Sequence, residues 1–200
     1  MFTLDEFLKT CNNRTIQQIA DVTEIISNVK WKSVSFTIDT EPIPSHRPRL
    51  CGYRVYVPGA AKSQAYFNKK VLPKLNGLYI TTPMKITADF YFRTPKSFSK
   101  TQIALAEMRI LRPWGNIGDN DNLEKNLMDQ MQSNTKRGFK GLISNDCLVV
   151  EIHSNKYYSM TPRTDTRIEY MDKSDIGPML QKILRIKDEE DIFSAENITF

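Results

Sequence analysis

Residues 85–93 read KITADFYFR, with Ile86, Ala88, Phe90 and Phe92 alternating with Lys85, Thr87, Asp89, Tyr91 and Arg93. Successive side chains of a strand point to opposite faces, so this period of two predicts a strand with one apolar and one wet face. On its amino-terminal side, Val34, Phe36 and Ile38 alternate in the same way and predict a second half-buried strand. That strand ends at EPIPSHRPR (41–49), a loop whose prolines forbid regular pairing and which carries Arg47 and Arg49. The short strand YRVYV (53–57) leads into AAKSQAYFNKKVL (60–72), read as a helix with Ala65, Phe67 and Val71 inward and Lys62, Lys69 and Lys70 on its surface. On the carboxyl-terminal side, Ser99 and Gln102 frame a capping box for the helix TQIALAEMRIL (101–111). The loop PWGNIGDN (113–120) precedes the helix DNLEKNLMDQM (121–131), which places Leu123, Leu127 and Met131 on one face. A flexible basic connection, SNTKRGFKG (133–141), ends at Asn145 and Asp146. CLVVEIH (147–153) is strand-like, and TRIEY (166–170) is its expected partner across a turn at Pro162. Strands and helices mix without strict alternation, which selects the α+β class.

The ends of the chain are appendages to this pattern. Residues 1–30 read as a helical extension that packs on the core, with Thr3 and Glu6 as a capping box and Ile16, Ile19, Thr23 and Ile26 at helical spacing. Residues 172–200 hold one amphipathic helix, IGPMLQKILRI, and then the acidic run DEED. A chain of 200 residues is enough for one domain with a proper core. No apolar run approaches the roughly 20 residues needed to cross a bilayer. The start, MFTLDEFLKTC, carries acids where a secretory signal carries basic residues, so the expected location is the cytoplasm. Cys11, Cys51 and Cys147 lack the spacing of a disulfide framework or a zinc site.

Charge is unevenly spread. Lys30 to Gly115 contain fifteen Lys or Arg against four Asp or Glu, while the rest of the chain is net acidic. The first part reads as a surface for a polyanion.

Against that surface stands GDNDNLEK (118–125). Asp119 and Asp121, one residue apart, point to the same side of an extended segment, so two hard oxygen donors converge on one divalent cation. The alternative is an ordinary helix cap, since a helix start favours a carboxylate on electrostatic grounds. An EF-hand is excluded, because Leu123, Glu124 and Gln130 stand where that loop needs a ligand, a glycine and a closing glutamate. Lys125 follows Asp121 by one helical turn and can meet a phosphate held by the same metal; a surface Asp/Lys pair is the bland reading. Asp146, opening a strand, supplies a third carboxylate.

GDNDNLEKNLMDQM, then NDCLVVEIHSNK and PRTDTRIEY, resemble the RusA-type Holliday junction resolvases, endodeoxyribonucleases common in phages and prophages. The family motif is approximately Pro-Asp-X-Asp-Asn-Leu-X-Lys, followed by Asp-Asp and a strand. FTIDTEPIPSHRPR and KITADFYFR resemble its first strand with basic loop and its strand before the acidic motif, so the resemblance spans about residues 33–170. It implies a single RusA-like domain (31–171) with a mixed sheet packed by helices. It also implies catalytic roles for Asp119, Asp121, Lys125 and Asp146, with the three acids holding Mg²⁺, for which Mn²⁺ can substitute. Lys125 would donate to a phosphate oxygen or orient the attacking water. Gly118 replaces the motif's proline, which loosens the loop. Asn145 replaces the first acid of the Asp-Asp pair, which lowers the site's negative charge, while Asp146, the acid matched to catalysis, is retained.

The implied partners are branched DNA, above all a four-way junction, and a second copy of the chain in a two-fold dimer. Phosphate contacts dominate such binding, and Arg47, Arg49, Lys69, Lys70, Lys136, Arg137, Lys140 and Lys156 are the candidates. Trp114 and other aromatics are candidates to stack on exposed bases, although strand aromatics are more often core. Two alternatives stand beside the resolvase: a nuclease of flaps or forks, and a non-catalytic DNA-binding protein in which the aspartates only begin a helix.

Overall fold

The computed structural model describes residues 6, 9–45, 49–51, 54–56, 60–115, 117–134 and 139–176. In chain order the elements are α1 (Asn13–Asn28), β1 (Trp31–Ile38), β2 (Arg49–Cys51), β3 (Arg54–Tyr56), α2 (Ala60–Tyr66), β4 (Met84–Arg93), α3 (Lys100–Glu107), α4 (Asn120–Met131), β5 (Val149–Ser159) and β6 (Arg163–Met171). The architecture is α+β. Four strands form a mixed sheet in the order β1-β6-β4-β5, and β2 pairs with β3 in a separate two-stranded ribbon. The period of two in β4 is realised: Ile86, Ala88, Phe90 and Phe92 are buried on one face, while Thr87 and Arg93 are exposed on the other. Ile86 lies opposite Ile168 on one side and Ile152 on the other, and Ile168 in turn faces Val34. This apolar row runs across all four strands and lies on the face that α2 and α4 cover. Burying each such side chain contributes about 1.5–3 kcal/mol.

The pairing of the last two strands differs from the sequence expectation. β6 is not hairpinned to β5; β4 lies between them, parallel to β5 and antiparallel to β6. β4 carries the most continuous apolar face, so the central position buries it best. The link through Pro162 crosses the end of β4, where Thr94 N–H donates to Ser159 O at 3.1 Å. The parallel β4–β5 pair requires a long crossover, which α3 and α4 supply.

Smaller departures have local causes. In α2, Ser63 is buried and Ala65 exposed, the reverse of the expected inward Ala65. Ser63, Phe67 and Val71 share one face at spacings of four, and Ala65 falls on the opposite side. The helix then continues through a π turn, Phe67–Val71, and a 3-10 turn, Leu72–Leu75. α3 has its expected capping box, Ser99 with Gln102, but ends at Glu107, short of the expected Leu111. The chain leaves it through Arg109 at φ 61, with Ile110 N–H donating to Leu105 O at 2.9 Å. This is a left-handed helix exit, usually made by glycine. α1 is capped by Asn12, which accepts from Thr15 N–H, yet Ile16 and Ile26 are 41% and 37% exposed. Its contact with the rest runs through a small cluster of Val22, Val29, Met171 and Ile176, apart from the main core.

The basic connection after α4 is anchored at both described ends. Leu142 N–H donates to Met131 O at 2.8 Å, and Asn134 and Phe139 exchange hydrogen bonds. Gly141 is packed so closely that a Cβ there would overlap the Met131 carbonyl oxygen. Thr3 of the expected capping box, Arg47, Lys136, Arg137, and the C-terminal helix and acidic tail lie outside the described residues. No helix among the described residues is long and apolar enough to cross a membrane.

Candidate active site

Helix α4 sorts its residues by face. Leu123, Leu127 and Met131 are buried in the core, with Asn126 and Gln130 buried beside them. Asp121, Lys125 and Asp129, four residues apart on the opposite side, are exposed. The start of the helix is held from two directions. From the Pro-rich loop, Ser45 N–H donates to Asn122 O at 2.8 Å, and the buried Asn126 amide donates to Ile43 O at 2.5 Å. From β5, the Ser154 hydroxyl donates to Glu124 at 2.5 Å and the Lys156 ammonium to Gly118 O at 3.1 Å. Gly118 therefore does not loosen the loop, contrary to what its replacement of the motif's proline implied. Its φ is +98°, and a Cβ there would lie 2.7 Å from Pro44 Cβ, so the proline ring occupies the space that a side chain would need.

Asp119 is the N-cap residue by backbone geometry, with φ −78° and ψ 157°, and its carbonyl accepts from Leu123 N–H at 3.2 Å. Its carboxylate makes no capping bond. Asn12, Ser99, Asn145 and Asp172 all cap through their side chains, so Asp119 differs from them in leaving its carboxylate free of a capping bond, with only the electrostatic preference of a helix start for an acid. Among the described residues, neither Asp121 nor Lys125 joins an ion pair, so the bland surface-pair reading is absent. Between the two acids, Asn120 Oδ1 is buried and has no hydrogen-bond partner among the described residues, an uncompensated acceptor of the kind that folding ordinarily avoids. Residues 119–121 thus offer only oxygen donors, which suit a hard divalent cation. Mg²⁺ commonly takes one or two carboxylates and completes its shell with water and substrate phosphate, and Mn²⁺ accepts the same donor types.

The third acid stands elsewhere. Asp146 opens a 3-10 turn, Asp146–Leu148, rather than the strand itself, and its carboxylate accepts from the Gln132 amide at 3.4 Å. Gln132 ends α4, whereas Asp119 begins it. Eleven residues from Asp121 to Gln132 correspond to about 16 Å along a helix axis. The closed trio of Asp119, Asp121 and Asp146 expected from the sequence is accordingly not formed. Among the described residues, no three His, Cys, Asp or Glu side chains are grouped to hold a metal ion. Asn145, which replaces an acid of the motif, caps the turn by accepting from Cys147 N–H at 2.9 Å.

Asp129, which the sequence reading passed over, joins the two ends. The residue is exposed overall, but its carboxyl lies partly against the protein. Partial burial and the nearby Asp146 push its pKa up, opposed by Lys125. The signal was present in the sequence: Asp129 follows Lys125 by four residues and Asp121 by eight, so all three share one face.

The basic candidates divide. Lys69 and Lys70 are exposed in the π turn. Lys140 stacks its ammonium 4.8 Å from the Tyr79 ring centroid. Lys156 is half-buried and spends a proton on Gly118 O, so it supports the loop instead of standing free on the surface. Arg49 begins β2. His153 is an exposed partner of Glu151 at 2.6 Å on the wet face of the sheet, away from α4.

Comparison with protein families shows that residues 39–169, well over half of the chain, match the model of endodeoxyribonuclease RusA. Comparison with curated proteins yields no match.

Proposed function

Because the chain belongs to the RusA endodeoxyribonuclease family, an enzyme family that resolves Holliday junctions, we propose that it cleaves four-way junctions by Mg²⁺-dependent hydrolysis of paired phosphodiesters in recombination and repair. The observation that carries the reading is the uncommitted carboxylate of Asp119, which sits at a helix start without capping it. Asp119 and Asp121 would hold Mg²⁺ or Mn²⁺, with Asn120 Oδ1 as a neighbouring oxygen donor. A divalent ion bound there supplies an acidified water and neutralises charge on the transition state.

The rest of the work falls to the chain's own side chains. Lys125, exposed one turn along, binds a phosphate oxygen and so orients the scissile group. Core packing of Leu123 and Leu127 fixes the helix that presents all three residues. The contacts of Gly118 with Pro44 and Lys156 fix the loop that presents Asp119. Asp146 matches the motif's third acid but stands by Gln132 at the far end of α4, so Asp119 and Asp121 would hold the ion without it. Arg47, Arg49, Lys69, Lys70, Lys136, Arg137 and Lys140 supply phosphate contacts. The protein acts as a homodimer in the cytoplasm, since symmetric cuts on two strands call for two sites related by a two-fold axis.

The test is cleavage of a mobile four-way junction, a flap and a linear duplex with Mg²⁺, with Mn²⁺ and with EDTA. Paired nicks confined to the junction and lost in EDTA are expected. Faster cutting of the flap would replace the junction as substrate.

A further inference from the structure

The segment between α3 and α4 is built around β5 in a way that the catalytic reading does not use. Arg112 donates through Nε to Arg109 O at 2.7 Å and through Nη1 to Lys156 O at 3.3 Å. Lys156 in turn holds Gly118 O. The loop is thus pinned to one residue of β5 at both ends, and Trp114 lies between the pins, 79% exposed. Glycine at 115 with φ +80° turns the chain directly after it. Asp119 follows Trp114 by five residues.

The pins also assemble cations on aromatic rings. Tyr91 and Tyr157 stack with centroids 5.2 Å apart. Arg109 and Arg112 lie 4.7 and 4.3 Å from the Tyr157 centroid, and Arg163 lies 3.9 Å from that of Tyr91. Arg163 is neutralised by Asp165 at 2.9 Å; among the described residues, Arg109 and Arg112 have no carboxylate partner. Arg109 moreover occupies a left-handed backbone position where glycine is the unstrained choice.

We propose that Trp114, on the loop that Arg112 pins to β5, is a stacking platform for a base exposed at the crossover of the branched substrate. An exposed indole offers a face to any base, and the two unpaired guanidinium groups offset the phosphates that flank it. A continuous duplex keeps its bases stacked and gives the indole nothing to take, so the platform selects branched over linear DNA. This inference rests on the nuclease reading. Exposed Met108 and Ile110, at 66% and 62%, border the same segment. They would suit a second copy of the chain, but two cations without acids disfavour a self-complementary contact.

The experiment uses the full chain with Asp121→Asn to prevent cutting and Trp31→Phe to leave Trp114 as the sole tryptophan. Its fluorescence is titrated with a four-way junction and with linear duplex, and binding is followed separately by gel shift. The proposal predicts quenching by the junction and not by the duplex. Trp114→Ala should weaken junction binding about fivefold to a hundredfold, with Trp114→Phe between. Duplex affinity should be unchanged. Junction binding without quenching, and equal in Trp114→Ala, overturns the platform and leaves the nuclease reading intact. A lower oligomeric mass in Trp114→Ala overturns it in favour of a contact between copies. Failure of the parent protein to bind junction at all removes the DNA reading and the platform together.

Discussion

Gly118 is where the family motif and the structure make opposite predictions. The motif has proline there, so Gly118→Pro looks like a return to type; the backbone at φ +98° forbids it, because proline fixes φ near −65°. Gly118→Ala is the milder perturbation and its cost can be apportioned. An L side chain in the left-handed region costs roughly 1–2 kcal/mol. The added Cβ would meet Pro44 Cβ at 2.7 Å and Cγ at 2.9 Å, and overpacking of this kind costs typically about 1–3 kcal/mol. The sum, about 2–5 kcal/mol, should lower Tm by roughly 5–15 °C in a chain of this size. A double-mutant cycle separates the parts. Pro44→Gly removes the atoms that clash, so the double variant should recover about 1–3 kcal/mol in urea denaturation and keep the backbone cost. Strictly additive effects, or a Gly118→Pro variant as stable as the parent, would refute the claim that the Pro-rich loop rests on Gly118.

Three further outcomes follow from the same geometry. Ser99→Ala should cost about 0.5–2 kcal/mol because it removes a working cap, whereas Asp119→Asn, which removes no capping bond, should cost no more than about 0.3–1 kcal/mol of helix-end electrostatics while abolishing cleavage. Leu127→Ala should cost about 2–5 kcal/mol in chemical denaturation, since the side chain is buried between α4 and the sheet. The raised pKa of Asp129 means that its protonated form favours the fold: this contribution is present below the ordinary aspartate range and is lost as pH rises through the raised value. Asp129→Asn should therefore gain Tm relative to the parent as pH increases across that window, and a difference that stays flat with pH would contradict the assignment.

What was legible in the sequence was mostly local. The alternation in KITADFYFR, the Ser99 and Gln102 box, and the apolar face Leu123, Leu127 and Met131 are short-range periodicities that burial enforces directly, and each appears in the fold. The insertion of β4 between β5 and β6 was not legible, because a three-residue link usually makes a hairpin and only competition for the central position decides otherwise. The left-handed exit at Arg109 was hidden for a similar reason: arginine gives no turn signal, and its stacking on Tyr157 is a long-range contact. For the site, the motif located Asp119, Asp121 and Lys125 on one loop and helix start, which are contiguous in sequence. The position of Asp146 depends on how the 133–141 connection returns to α4, which no local pattern specifies. Asp129 could have been found from helical spacing alone.

The central claim is that GDNDNLEK is a catalytic centre and not a helix cap. Its most direct test is single-turnover cleavage of a four-way junction with Mg²⁺ by the parent protein and by Asp121→Asn, with junction binding measured on the same samples. The account predicts paired symmetric nicks from the parent, none from the variant, and equal binding by both. Equal cleavage by the two proteins, or binding without cleavage by either, would contradict it.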